Sequence, residues 1–200
     1  MFNSVKIRLL VLTILLALAP LCSVWADDVA DSIKEALKQY ESGEFADAVQ
    51  SLDYASQLIR QKKGGLLEAF LPAPLAGWKA EEAQSSAAGA AMFGGSVTAE
   101  RSYTKGDSRV QVNIITDSPM MQGMMVLFSN PMMATADGGK LEKINGEKAI
   151  VKYSKENKDG NINLVVGNRF MITIDGSDIT RENLLAYAKA MDFKKLSTLP

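Results

Sequence analysis

The spacing of apolar residues changes period twice along the chain. An apolar run, Leu9 to Ala19, stands behind Lys6 and Arg8. From Val29 the apolar residues fall at Val29, Ile33, Ala36, Leu37 and Tyr40, steps of three and four that line one side of a helix. Glu41-Ser42-Gly43 breaks that pattern. A second stripe follows at Phe45, Ala48, Val49, Leu52, Ala55, Ser56 and Ile59. It closes at Gln61-Lys62-Lys63-Gly64-Gly65, where cations suit the carboxyl end of a helix dipole and glycine ends the turn. The two stripes predict an antiparallel helical hairpin over residues 27–65. A lone hairpin cannot bury both of its sides, so it is expected to pack on its own domain or on a copy of itself.

Beyond Ser96 the period becomes two. Val97, Ala99, Arg101 and Tyr103 alternate with polar residues, and after Lys105-Gly106-Asp107 so do Val110, Val112 and Ile114, which predicts a hairpin. A second hairpin pairs Lys140–Ile144 with Glu147–Tyr153 across Asn145-Gly146, two residues that tolerate positive φ. A third joins Ile162, Leu164 and Val166 to Phe170, Ile172 and Ile174 through Gly167-Asn168, with Asp159-Gly160 turning into its first strand. Helices are predicted between Ser118 and Ser129 and at the C-terminus. The latter is capped near Thr180, with Leu184, Leu185, Ala188 and Met191 on one face.

Between the two periods, Leu66–Leu71 leads into Pro72-Ala73-Pro74-Leu75-Ala76-Gly77-Trp78, a stiffened junction that the tryptophan anchors. The small residues Ser85–Ala91 predict a loop rather than a core strand. The expected architecture is therefore α+β: a helical hairpin at 27–65, a linker and loop at 66–95, and a sheet domain at 96–200. That domain is an antiparallel sheet of about six strands covered by two helices.

The charged, apolar and small-residue order of residues 1–26, ending Val24-Trp25-Ala26 before Asp27-Asp28, predicts a secretory signal peptide cleaved after Ala26. The apolar run is about half of the ~20 residues that cross a bilayer core, so no stable membrane span is expected once it is removed. Leu21 directly before Cys22 argues against a lipid-modified cysteine. The expected location is periplasmic or secreted. Export changes the available chemistry, because the single cysteine is Cys22 and the chain has no histidine. With neither thiol nor imidazole left, nucleophile and base pairs of the familiar kinds cannot be assembled. Without Lys6 and Arg8 the net charge is about −3, and no basic stripe offers itself to nucleic acid.

Tyr40, Gly43, Phe45, Ala48 and Ala55 match the middle and second half of a tetratricopeptide repeat, so the hairpin resembles one such repeat. The element order of residues 66–196, hairpin pairs with an interposed and a terminal helix, resembles the PsbP-like group of folds. The mature chain, with Asp117-Ser118-Pro119, Ser129-Asn130-Pro131 and Asp192-Phe193, is also similar to an uncharacterised family of exported bacterial proteins. That resemblance implies no activity.

Six of the ten methionines stand within fourteen residues: Met120, Met121, Met124, Met125, Met132 and Met133. On a helix Met120 and Met124 share a face, as do Met121 and Met125. Three uses fit such a cluster. Unbranched, polarisable side chains fill irregular space between a helix and a sheet; they also make an adaptable groove for a hydrophobic ligand; and soft thioethers at Met120, Met121, Met124 and Met125 would hold Cu(I). Catalytic alternatives are thin. Glu81-Glu82 and Asp175 with Asp178 are the nearest acid pairs, while Gly94-Gly95-Ser96 and Gly138-Gly139-Lys140 lack the full phosphate-loop spacing. Asn157, Asp159 and Asn161 lack the rest of a calcium loop. Tyr103, Tyr153 and Tyr187 either rim a pocket or finish the core. The expectation is a periplasmic, non-enzymatic binding or accessory protein without a cofactor. Its partner would be an envelope protein or a hydrophobic ligand, and the alternative is a Cu(I) carrier using the Met120 to Met133 cluster.

Overall fold

The computed structural model describes residues 27–87, 95–118, 120–130, 132 and 138–199. The predicted leader at 1–26 lies outside them. Two helices come first, α1 (Asp28–Glu41) and α2 (Phe45–Glu68), reversed at Gly43 with φ +80°. The buried positions of α1 and of the first half of α2 are small: Ala36, Ala48 and Ala55. Alanines let the two backbones approach closely, and the Ser51 hydroxyl donates to Gln39 Oε1 at 2.8 Å across the gap.

The fold is α+β, and among the described residues the sheet is antiparallel throughout, with eight strands against the six or so the sequence predicts. They are β1 (Lys79–Ala80), β2 (Gln84–Ala87), β3 (Val97–Lys105), β4 (Ser108–Thr116), β5 (Lys140–Ile144), β6 (Glu147–Ser154), β7 (Asp159–Val166) and β8 (Phe170–Ser177). The spatial order is β1-β3-β4-β8-β7-β6-β5, with β2 also on β3. The three predicted hairpins form, and their turns hold Asn145, Gly146, Gly167 and Asn168 at positive φ. Between β4 and β5 the chain carries α3 (Met120–Ser129), and after β8 come α4 (Arg181–Lys189) and a short α5 (Phe193–Ser197).

The two additional strands fall in the stretch expected to be linker and loop. Gln84–Ala87 pairs with β3 from Val97 to Glu100, an exposed edge strand whose small side chains let α2 lie against it. That contact also corrects the expected end of α2. The helix runs through Gly64-Gly65 to Glu68, and a Cβ at Gly64 would stand 3.0 Å from Ser85 Cβ. The glycine serves a close approach here, not a stop. Residues 88–94 lie outside the described part.

One face of the sheet carries the core. Val97, Ala99 and Tyr103, then Val110, Val112 and Ile114, alternate inward with their counterparts on β7 and β8. Leu67 from α2, Leu71 and Trp78 from the junction, Leu184 and Tyr187 from α4, and Phe193 and Leu196 from α5 close over them. Thr180 caps α4 by accepting from the Asn183 amide, as predicted, and Asp192 caps α5 through the Lys195 amide.

Candidate functional site

Three surfaces carry residues singled out by the sequence. The first is the hairpin. Asp31, Ser32 and Glu35 of α1 share a polar groove with Gln50, Ser51 and Tyr54 of α2, which fixes one side of the helix pair as hydrophilic. At about 100° per residue, Ile33, Leu37 and Tyr40 fall on the opposite side of α1, and Phe45, Val49 and Leu52 on the opposite side of α2. The rings of Tyr40 and Phe45 meet across the turn with centroids 5.7 Å apart, joining the two rows. All six are exposed, from 45% for Ile33 to 62% for Tyr40 and Phe45. The row continues through the exposed Ile59 and Leu66 into a groove of about 430 Å³ that Val29 and Leu199 also line. Asp27 and Lys62 stand at that groove, paired at 2.7 Å, and the lysine holds the carboxyl of Asp27 below its ordinary pKa. Among the described residues the hairpin meets its own domain chiefly along the last turns of α2, through Arg60 beside Gly95, Gly64, Leu67 and the Lys63–Asp117 ion pair, with Val29 reaching the groove at Leu199.

The second surface is the methionine segment. Met121 is buried, Met125 is half-buried and Met132 is 82% exposed, so these three thioethers do not share one environment. The side chains of Met120 and Met124, and all of Met133, lie outside the described part. Met121, Ile150 and Met171 are buried but do not belong to the main core. Among the described residues no three His, Cys, Asp or Glu side chains gather to hold a metal ion.

The third is the polar face of the sheet. Cross-strand pairing lines up Gln111, Asp175, Asn161 and Lys152 across β4, β8, β7 and β6. With Arg109 and Ser177 they line an open cleft of about 630 Å³. Asn161 donates to Asp175 Oδ1 at 2.5 Å, Gln111 donates to Glu100 at 3.1 Å, and Arg109 lies 3.6 Å from Glu81. These groups satisfy one another as the solvated face of an antiparallel sheet does. Members of the acid pairs have separate partners. Asp175 faces the cleft while Asp178 occupies the turn after β8, where its carbonyl accepts from the Ser108 hydroxyl. Glu81 is engaged by Arg109.

The tyrosines are divided between core and rim. Tyr103 and Tyr187 are wholly buried with ring centroids 4.5 Å apart, and Trp78 meets Tyr187 edge-on at 5.3 Å. The Tyr103 hydroxyl donates to the Pro72 carbonyl at 2.6 Å. Half-buried Tyr153 donates to the Ile179 carbonyl at 2.9 Å. Among the described residues no helix is long and apolar enough to cross a membrane. No family model, no curated protein and no solved structure matches the chain.

Proposed function

We propose that this protein is an exported, non-enzymatic binding or accessory component of the bacterial envelope, and that it works through the apolar side of its helical hairpin. One observation carries the reading: the hairpin keeps its large apolar side chains on a continuous outer side while its interior is built from alanine. Contiguous apolar surface of that extent marks an interaction site in a water-soluble protein. The N-terminal leader pattern supports export, and the lack of thiol and imidazole beyond residue 26 supports a role in recognition rather than turnover. A lipid surface is a poor fit, since Asp27–Glu68 contains nine acidic and five basic residues and anionic headgroups would repel it. The fold resemblance to the PsbP-like group rests on element order and adds no chemistry.

A photo-activated cross-linking residue at Val49 tests this in living cells. Covalent adducts in the envelope fraction are expected from Val49, and none from Tyr54 on the hydrophilic side. Equal labelling from both positions, or none from Val49, would overturn the assignment. An intact mass starting at Asp27 is the expected sign of export.

A further inference from the structure

The uncovered side of the hairpin has the size, period and charge pattern of a surface that meets itself. Seven of its exposed apolar side chains, those from Ile33 to Ile59, are each about half accessible and sum to on the order of 600 Å² of apolar area. A stable interface takes roughly 600–1,000 Å² from each partner, so the area reaches what one dimer needs. The rows advance by three and four residues on both helices, the spacing that seats side chains against another helical layer of the same kind. Charge supplies the orientation. Lys34, bridged to Asp31 at 3.0 Å within its own helix, stands three residues before Leu37 and Glu41 four residues after it, so an antiparallel copy turned about Leu37 brings each lysine beside the other chain's glutamate.

We infer that this side of the hairpin docks on the same side of a second copy of the chain, antiparallel about a two-fold axis beside Leu37, closing a four-helix layer pair. This rests on the reading of the hairpin as the binding surface and names its occupant. The Gln39–Ser51 and Asp27–Lys62 contacts fix how the two helices lie abreast, and they put Leu52 level with Leu37. The same axis therefore brings Leu52 against Leu52 of the second copy, and Phe45 over its Ile59. An isologous contact of this kind closes on itself as a two-fold dimer.

Sedimentation of the purified protein is the primary measurement. A mass twice that of the monomer is expected at micromolar concentration. Leu37→Glu is expected to return a monomer that keeps the parent's circular dichroism spectrum and has a concentration-independent thermal midpoint, because Leu37 is already 57% exposed within one chain. Glu41→Lys should weaken association, and Lys34→Glu combined with Glu41→Lys should restore it. Residues 27–200 contain no cysteine, so Leu52→Cys is expected to give a disulfide-linked dimer under oxidation and Tyr54→Cys is not. A dimer that survives Leu37→Glu, or that Leu52→Cys fails to link, overturns the inference. A monomer whose Val49 cross-linker still captures a different envelope protein also overturns it, while leaving the broader reading in place. A monomer with no adduct removes both.

Discussion

Tyr103 shows how much one buried side chain can report. Burial pushes its phenol up to about 12, with the neighbouring Arg101 charge offsetting part of the rise, and burial raises Tyr187 in the same direction. An unfolded tyrosine titrates near 10. The stabilisation tied to the neutral phenol is thus fully present below about pH 10 and is lost as pH rises from 10 through 12. Alkaline denaturation followed by circular dichroism should show that loss, and Tyr103→Phe should make the profile shallower, with Tyr187 keeping part of the slope. At neutral pH the same variant leaves the Pro72 carbonyl without its donor, at a cost of about 1–2 kcal/mol. Some of this scale was legible in the sequence. Tyrosines at alternating strand positions point to a core, and Asn145-Gly146 read correctly as a turn. Nothing local foretold that the Asn145 amide would also donate to the Lys189 and Met191 carbonyls, 2.9 and 3.0 Å away, and so hold the end of α4. Partners more than forty residues apart have no spacing to betray them.

Among the elements, the strands are more legible in the sequence than the glycines that let helices touch them. Period two identifies six strands, because one sheet face is buried throughout and the other is largely solvated, Ile150 and Met171 excepted. Lys79–Ala80 and Gln84–Ala87 escaped because short, small-residue edge strands carry no alternation. The helical stripes likewise merged two populations: Ala36, Ala48 and Ala55 turn between the helices, while their larger neighbours remain outside. Gly160 and Gly176 are paired across β7 and β8 and form a notch for Leu184 of α4. A Cβ at Gly160 would lie 2.7 Å from Leu184 Cδ2 and 2.8 Å from the Lys152 carbonyl oxygen, which belongs to the sheet and cannot step aside. Gly160→Ala should therefore cost about 1–3 kcal/mol or more, the range for overpacking a filled core. Gly65→Ala makes the useful contrast. A methyl there meets nothing within 4 Å on α2 and should stabilise by about 0.5–1 kcal/mol. Urea unfolding of the two variants against the parent gives both signs in one experiment. A neutral Gly160→Ala would mean that α4 does not rest on that notch.

Across the whole molecule, the junction decides whether hairpin and sheet behave as one body. The sequence marked Trp78 as an anchor behind a proline-stiffened segment, and the structure places it 7% exposed, edge-on to Tyr187, which in turn packs on Tyr103. The chain leaving α2 is thereby fixed to β3 and α4 together, with the Pro72 carbonyl held by Tyr103 on the same side. Trp78→Ala empties the middle of that contact, and large aromatic truncations in a core cost about 3–5 kcal/mol. The loss should fall unevenly. Apart from the last turns of α2, from Arg60 onward, the hairpin has little hold on the sheet, so amides of α1 and of the first half of α2 are expected to open without the core. Hydrogen exchange on Trp78→Ala should show faster opening at Leu67–Leu71 and in β3 and α4, with α1 nearly unchanged. An unaltered thermal midpoint in this variant would show that the tryptophan merely covers the core edge, and the hairpin would then have to be held by α2 and β2 alone.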